Sequence, residues 1–224
     1  MPRLLSGIRT ENTEHRTQNM RIISGRLARR KLVSPKGYLT RPTMSQTRES
    51  LFHLVESRMN LHDADVLDLF AGTGALGFEA ISRGAASVSF VENTSKVLQY
   101  ARKNAEDLDV EEYCGFIRAD AVSYLERYSG RPFDLILADP PYDLPAISRL
   151  PDLALRHVKP EGLFVLEHNR RLSFNDHPAL DTSRPYGRTF VSIFRPRIEA
   201  PESTEPEMQS TDQRTENREP RTDQ

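Results

Sequence analysis

Short apolar runs alternate with segments of helical periodicity through the centre of the chain. Runs of strand length predict buried strands at residues 66–70, 87–92, 115–119, 133–138 and 162–167. Helices are predicted between them, at residues 74–83, 95–108, 122–128 and 146–157. A last strand is predicted at 189–194, paired with a weaker one near 182–186. Repeated strand–helix units predict an α/β fold with a mostly parallel sheet, helices on both faces and right-handed crossovers.

Two further elements precede this series. Residues 21–35 contain two β-prone pieces around a Gly-containing turn, which predicts a hairpin. Residues 40–43 are interpreted as a linker, after which Ser45 caps a helix that extends to about residue 59. The predicted organisation is a hairpin and linker at 20–44, followed by one α/β domain at 45–196.

Both ends of the chain are polar. Residues 1–19 and 197–224 contain too few apolar side chains to offset the entropy of ordering, so both are predicted to be disordered. Met20 is a candidate for the true start of the protein.

The charge of the chain is unevenly distributed. The formal net charge is only -1, but residues 1–48 hold 11 Lys and Arg against two Glu. The predicted hairpin and its flank carry six cations and no acid: Arg21, Arg26, Arg29, Arg30, Lys31 and Lys36. A solvated, protected edge strand is one interpretation of this segment. The absence of acids favours the other, a surface that binds RNA or DNA phosphates.

Composition excludes several classes of site. A single cysteine, Cys114, allows neither an internal disulfide nor a cysteine metal cluster, which fits a reducing cytosol. The six histidines lack metal-ligand spacing, so no metal is predicted. His168 follows the predicted strand 162–167 and is interpreted as structural. No apolar stretch approaches the roughly 20 residues of a membrane span.

A glycine-rich loop joins the first strand of the series to its helix. It contains Gly72, Gly74 and Gly77, which allow a tight turn and a close approach of a ligand to the backbone. With Glu92 twenty residues after Gly72, this spacing also fits a dinucleotide-binding loop. Asp68 favours S-adenosylmethionine, because a carboxylate before the loop suits a cationic ammonium better than a pyrophosphate.

Two more acids follow successive strands. Glu92 ends its strand, where a carboxylate can accept hydrogen bonds from both ribose hydroxyls. Asp120 follows the next strand and can accept from an adenine amino group, while the amide of Ala121 meets a ring nitrogen. Three acids at the ends of three strands, beside a glycine loop, predict a nucleoside-binding edge of the sheet.

The tetrapeptide Asp139-Pro140-Pro141-Tyr142 follows the strand at 133–138 and predicts the reaction. Two prolines form a stiff turn that fixes the carboxylate and the ring beside the sheet edge. The Asp139 carboxylate and the Pro140 carbonyl can accept both hydrogens of an exocyclic amine, which turns its lone pair toward a methyl donor. Tyr142 offers a face on which a splayed-out base can stack.

Together these motifs resemble the bacterial RsmD-type 16S ribosomal RNA (guanine-N2)-methyltransferases, from about Met20 to Phe194. The resemblance rests on the following stretches: Met20-Arg-Ile-Ile-Ser-Gly25, Ser34-Pro-Lys-Gly37, Thr40-Arg-Pro-Thr43, Arg48-Glu-Ser-Leu-Phe52, Leu67-Asp-Leu-Phe-Ala-Gly-Thr-Gly-Ala-Leu-Gly77, Asp139-Pro-Pro-Tyr142, Glu167-His168 and Tyr186-Gly187. Ser45-Gln46-Thr47 departs from the family, which usually has an acid, a base and a Val there.

The resemblance implies a class I methyltransferase fold with a seven-stranded, Rossmann-like sheet and S-adenosylmethionine as cofactor. It assigns Asp68, Gly72, Gly74, Glu92 and Asp120 to the cofactor, and Asp139 and Tyr142 to the base. The implied substrate is the guanine at position 966 of 16S RNA in an assembling small subunit. We expect a cytoplasmic monomer.

Other functions remain open at this level. The tetrapeptide chemistry fits any exocyclic amine, so a DNA adenine-N6 or another RNA amino methyltransferase is an alternative. A nicotinamide-dependent oxidoreductase would use the same glycine loop and Glu92, but it has no use for the tetrapeptide. A noncatalytic RNA-binding protein would not need the intact tetrapeptide either.

Overall fold

The computed structural model describes residues 20–35 and 42–197, with the side chains of 42–44 excepted. The predicted disordered segment 1–19, the predicted tail beyond Arg197 and the predicted RNA-binding residue Lys36 lie outside the described residues. Within the described ranges, no helix has the length and apolar character needed to cross a membrane.

Nine strands and five helices form the described part of the chain. The strands are β1 (Met20–Arg21), β2 (Lys31–Leu32), β3 (Asp65–Leu69), β4 (Ser87–Glu92), β5 (Cys114–Arg118), β6 (Phe133–Ala138), β7 (Val158–Asn169), β8 (Leu180–Tyr186) and β9 (Thr189–Phe194). The helices are α1 (Pro42–Glu56), α2 (Ala75–Ser82), α3 (Ser95–Leu108), α4 (Ala121–Arg127) and α5 (Leu150–Leu155). Short 3-10 helices lie at Glu111–Tyr113 and Ile147–Arg149.

The last seven strands form one sheet in the order β5-β4-β3-β6-β7-β9-β8. The first five strands in this order, β5, β4, β3, β6 and β7, are parallel to one another. The strand β9 is antiparallel to both of its neighbours, β7 and β8. The chain builds outward from β3 to β5 and then crosses back to place β6 on the other side of β3. The prediction of a mostly parallel sheet is confirmed, including the late hairpin at 180–194.

Alternate residues of the central strand enter two apolar layers, one on each face of the sheet. Val66 packs into the layer with α1, α2 and α3, whereas Leu67 and Leu69 pack into the layer with α4 and α5. All three side chains are fully buried. Because helices cover both faces of the sheet, the apolar side chains of β3 are buried on either side of it.

The predicted N-terminal hairpin is present, and it is part of the main core. β1 and β2 pair antiparallel. Met20, Ile22, Leu27 and Leu32 are buried in the same apolar layer as α2. The amides of Ile23 and Ser24 donate to the buried carboxylate of Glu79 on α2, at 2.9 and 3.0 Å. The hairpin is therefore fixed against the α/β domain.

Some predicted boundaries were wrong. The first helix begins at Pro42, inside the predicted linker, and ends at Glu56. Proline is well suited to the first turn of a helix, since its missing N–H is not needed there. The helix predicted at 146–157 is divided into a 3-10 turn and α5. β7 begins at Val158, earlier than predicted, because a register shift between Phe133 and Leu135 lets it pair with β6.

Candidate active site

A cleft of about 1520 Å³ opens at the carboxyl ends of the parallel strands. It lies where the strand order reverses between β3 and β6, the position at which open α/β sheets bind ligands. Gly72, Glu92 and Ala121 line one half, and Asp139, Pro140 and Tyr142 line the other. The fold thus brings the end of β4 and the tetrapeptide after β6 to one cavity.

The glycine loop between β3 and α2 has the left-handed backbone that its sequence predicts. Gly72 has φ 57° and Gly74 has φ 87°. A Cβ added at Gly74 would lie 2.4 Å from the Phe78 ring, so a larger residue has no space there. Phe70 also has positive φ, at 56°, and lines the cleft. The strained backbone at Phe70 was not foreseen, because a Phe gives no sequence signal for it.

Asp68 lies behind this loop and is almost fully buried, with 1% exposure. Its Oδ2 accepts a hydrogen bond from the amide of Gly77 at 2.9 Å. Burial raises the pKa of Asp68 to about 7, and the nearby charges of Asp139 and Glu92 add to that effect. The predicted cofactor residue therefore supports the start of α2 from below and is not among the residues that line the cleft.

Glu92 lines the cleft at the end of β4 and holds the two neighbouring loops. Its Oε2 accepts from the amide of Gly72 at 3.1 Å, and its Oε1 accepts from the amide of Thr94 at 2.8 Å. A carboxylate can accept about four hydrogen bonds, so both oxygens keep capacity for ribose hydroxyls. The site geometry is compatible with the predicted ribose contact.

Asp120 and Ala121 begin α4 at the edge of the cleft. The Asp120 Oδ1 accepts from the amide of Ser123 at 2.8 Å and so caps the helix. Ala119 and Ala121 line the cleft, whereas Asp120 itself does not. Apolar side chains from three elements, Phe70, Val97 and Ile147, complete this half and provide walls for a flat ring.

The tetrapeptide forms the other half of the cleft. Asp139 follows β6 directly, and burial raises the pKa of its carboxyl group. Tyr142 is 47% exposed, and its hydroxyl is hydrogen-bonded to Thr189 Oγ1 at 2.7 Å. The side-chain Nδ2 of Asn169 donates to the Tyr142 backbone carbonyl at 3.3 Å. Because both the hydroxyl and the backbone carbonyl of Tyr142 are hydrogen-bonded, its exposed ring is held in one orientation and offers a face for stacking.

Glu167 is a site residue that sequence reasoning missed. It lies on β7 opposite Asp139, because Ala138 pairs with Leu166 one position earlier. Burial raises the pKa of Glu167, and the Asp139 charge raises it further, while Thr189 and Arg48 oppose the shift. In the sequence, Glu167 stands out only as part of the Glu167-His168 pair in the family resemblance, and no local pattern indicates its role. Two carboxyl groups therefore share the floor of the cleft.

The five hairpin cations that the structure describes do not line this cleft. Arg26 lies over the Tyr113 ring, 4.8 Å from its centroid. Arg30 is 3.7 Å from the Asp109 carboxylate, and Arg21 donates to the Arg29 carbonyl at 2.9 Å. Arg29 and Lys31 are exposed on the same hairpin. The hairpin surface is separate from the cleft, and its predicted contact with RNA stays a prediction.

Two other titratable groups are structural. His168 is buried, bonded to Ser192 Oγ at 2.8 Å and to the Asn169 carbonyl at 3.0 Å, and burial lowers its pKa. Burial raises the pKa of the Cys114 thiol to about 12, so it is not a nucleophile. Among the described residues, His, Cys, Asp and Glu side chains form no group that could hold a metal ion.

Comparison with known protein families gives one matching family model. It is described as Conserved hypothetical protein 95 and matches residues 20–195. The chain is 32% identical to a putative rRNA methyltransferase, YlbH, of Bacillus subtilis over 80% of its own length and 100% of that protein. It is 37% identical to the ribosomal RNA small subunit methyltransferase D of Escherichia coli, over 55% of this chain and 60% of that one.

Solved structures show the same architecture. A putative methyltransferase from Escherichia coli matches with a TM-score of 0.70 at 28% identity, covering 81% of this chain and 99% of that one. A putative methylase from Haemophilus influenzae matches with a TM-score of 0.65 at 28% identity, covering 80% and 98%. The predicted class I methyltransferase fold is therefore confirmed.

Proposed function

The chain belongs to the Conserved hypothetical protein 95 family, the RsmD-type methyltransferases, and on that basis we propose that it methylates a guanine N2 in 16S ribosomal RNA. The methyl donor is S-adenosylmethionine. The observation that carries the proposal is the meeting of two halves in one cleft. Gly72 and Glu92 lie in the half suited to a nucleoside, and Asp139 and Tyr142 lie in the half suited to a base.

The cofactor half fits S-adenosylmethionine, which supplies an electrophilic methyl group on a sulfonium. Glu92 would accept the ribose hydroxyls, and the walls made by Phe70, Val97 and Ala121 would hold the adenine. Asp68 lies behind the glycine loop, where a cationic ligand in front of the loop would favour the ionised form of its buried carboxyl group. These residues bind and orient the donor without taking part in bond formation.

The base half positions the nucleophile. The Asp139 carboxylate and the Pro140 carbonyl accept the two N2 hydrogens of the guanine, and the nitrogen lone pair then faces the methyl group. With the donor bound, the nitrogen–carbon bond would form as the carbon–sulfur bond breaks, and the sulfur would keep the bonding electrons. The proton on the methylated nitrogen passes to the carboxylate that held it.

Tyr142 stacks on the target base after it leaves its helical or loop environment. The Thr189 hydroxyl fixes the ring, so its orientation does not have to be gained on binding. This arrangement supports nucleic-acid methylation over the oxidoreductase alternative, because hydride transfer to or from a nicotinamide requires no such turn.

The proposed partner is 16S RNA in an assembling small subunit, met in the cytoplasm by a monomeric enzyme. Relatives whose names include the ribosomal RNA small subunit support this choice over DNA. The guanine at position 966 is the proposed target, as the family resemblance implies.

The decisive experiment offers the purified full-length chain radiolabelled S-adenosylmethionine and one of three acceptors: unmethylated small subunits, free 16S RNA or duplex DNA. We expect label in N2-methylguanosine after nuclease digestion of the ribosomal substrate. Label in N6-methyladenine of DNA, or in another RNA nucleoside, would contradict the guanine-N2 assignment. S-adenosylhomocysteine and NAD are titrated in parallel, and binding of NAD alone would support the oxidoreductase.

A further inference from the structure

Three exposed arginines line the cleft on the side of Tyr142. Arg170 and Arg171 follow β7 directly, and Arg188 lies in the turn between β8 and β9. We propose that these residues, the arginine rim, bind the RNA phosphates on either side of the nucleotide that is methylated. This inference rests on the proposed function and adds a binding surface that neither the glycine loop nor the hairpin provides.

The rim is attached to the stacking platform on both sides. Asn169 precedes Arg170 and donates to the Tyr142 carbonyl at 3.3 Å, while its Oδ1 accepts from the Arg171 amide at 2.9 Å. Thr189 follows Arg188 and bonds the Tyr142 hydroxyl at 2.7 Å. Each arginine segment is thus within two residues of a group bonded to Tyr142. A phosphate bound at the rim would lie beside a base stacked on that ring.

The rim arginines also lack the carboxylate partners that several other arginines in the described ranges have. Arg58 and Arg195 share Asp181, Arg83 contacts Glu56 and Glu79, and Arg149 contacts Glu126. Within the described part of the chain, no carboxylate lies in ion-pair distance of the rim guanidinium groups. Asp143 lines the same cleft and does not pair with them.

The chemistry of this arrangement favours a polyanion. The guanidinium group presents a planar fork of donors that matches phosphate oxygens, and it stays charged at any physiological pH. The cations that line the cleft are at the rim, whereas two acids, Asp139 and Glu167, lie at its floor, so the backbone would stay at the rim while the base enters. The phosphates of a flipped nucleotide would therefore bind at the rim, while its base lies deeper in the cleft.

The test uses the full-length Arg170→Gln/Arg171→Gln/Arg188→Gln variant with unmethylated small subunits. We expect KM for the subunit to rise about tenfold or more, and the slope of log affinity against log salt to fall by about two to three. Affinity for S-adenosylhomocysteine should stay within about twofold, since the rim contacts phosphate and not the cofactor. The corresponding triple Lys variant retains the charge and should restore most of the salt slope.

A matched control removes three exposed arginines at the opposite edge of the same strands. Arg127, Arg131 and Arg156 precede β6 or β7 and form no side-chain ion pair in the described ranges. Their triple Gln variant should keep KM and the salt slope of the wild type. Equal changes in KM and in salt dependence in both variants, or no change in the rim variant, would contradict the proposed role of the rim in phosphate binding. If the wild type itself methylates no ribosomal RNA, the proposed function fails instead.

The rim variant must also be folded for this comparison, so its unfolding midpoint is measured beside its kinetics. If the triple variant is unstable, Arg188→Gln alone gives the same test with a salt slope lower by about one. A single variant with an unchanged slope and unchanged KM would again contradict the inference.

Discussion

Asp139 and Glu167 occupy opposite positions at the ends of two paired parallel strands. Their neighbours Ala138 and Leu166 are in register, and the Asp139 charge raises the pKa of Glu167. Because the charge of one carboxyl group affects the pKa of the other, the two groups do not ionise independently. The ionisation of this pair therefore affects both the proposed amine acceptor, Asp139, and the free energy of unfolding.

Replacing the amine acceptor should abolish methyl transfer. Asp139→Ala removes the carboxylate that orients the amino group, so we expect kcat to fall by about 100-fold or more. Affinity for S-adenosylhomocysteine should change no more than a fewfold, because Asp139 lies in the base half of the cleft. Single-turnover rates and calorimetric titration measure the two quantities, and retained turnover would remove Asp139 from its assigned role.

The protein without ligand should lose stability as pH rises from about 4 to about 8. The pKa of Asp68 is raised to about 7, and the pKa values of Asp139 and Glu167 are raised as well, all mainly by burial. Over this range the folded state binds more protons than the unfolded state, whose carboxyls ionise near pH 4. The free energy of unfolding therefore decreases with pH.

Urea unfolding at several pH values measures this slope. The Asp139→Asn/Glu167→Gln variant should show a shallower decrease, since only the Asp68 part remains. Glu161→Gln, an exposed change on β7, is the control and should reproduce the wild-type slope. A steep slope that persists in the double variant would show that the pair does not cause it.

Gly74→Ala should destabilise the protein and weaken cofactor binding. The residue has φ 87°, and its new Cβ would lie 2.4 Å from Phe78, so both backbone strain and a steric clash oppose it. Gly187→Ala is the matched control, because Gly187 has φ 59° but nothing within 4 Å of the added Cβ. We expect about 1–2 kcal/mol for Gly187→Ala from backbone strain alone, and a larger loss for Gly74→Ala. Chemical denaturation compares them, and equal losses would mean that the Phe78 contact is unimportant.

Tyr142 should contribute through its ring more than through its hydroxyl. Tyr142→Ala removes the stacking face, which is typically equivalent to about 1–3 kcal/mol per base. Tyr142→Phe keeps the face and removes the bond to Thr189, so a smaller rise in KM is expected. Steady-state kinetics on small subunits separate the variants. Similar defects in both would assign the main role to the hydroxyl.

Much of the fold was predictable because its signals are local. The apolar runs of β3 and β6, the glycines at 72 and 74 and the Pro140-Pro141 turn each constrain nearby backbone only. Their boundaries were nearly correct wherever a turn residue stops the element. The start of α1 was missed because Pro42 is compatible with both a linker and a first helical turn.

By itself, the sequence determined the strand–helix alternation, the left-handed glycine loop and the tetrapeptide that ends β6, since neighbouring residues decide these features. The tertiary structure alone decided which strand ends meet. Placing β6 beside β3 and β7 beside β6 brings Glu167 to Asp139 and buries Asp68 behind the loop, and placing β9 beside β7 brings Thr189 to Tyr142. These contacts join residues far apart in the chain, and they depend on strand order and register, which local preferences do not encode.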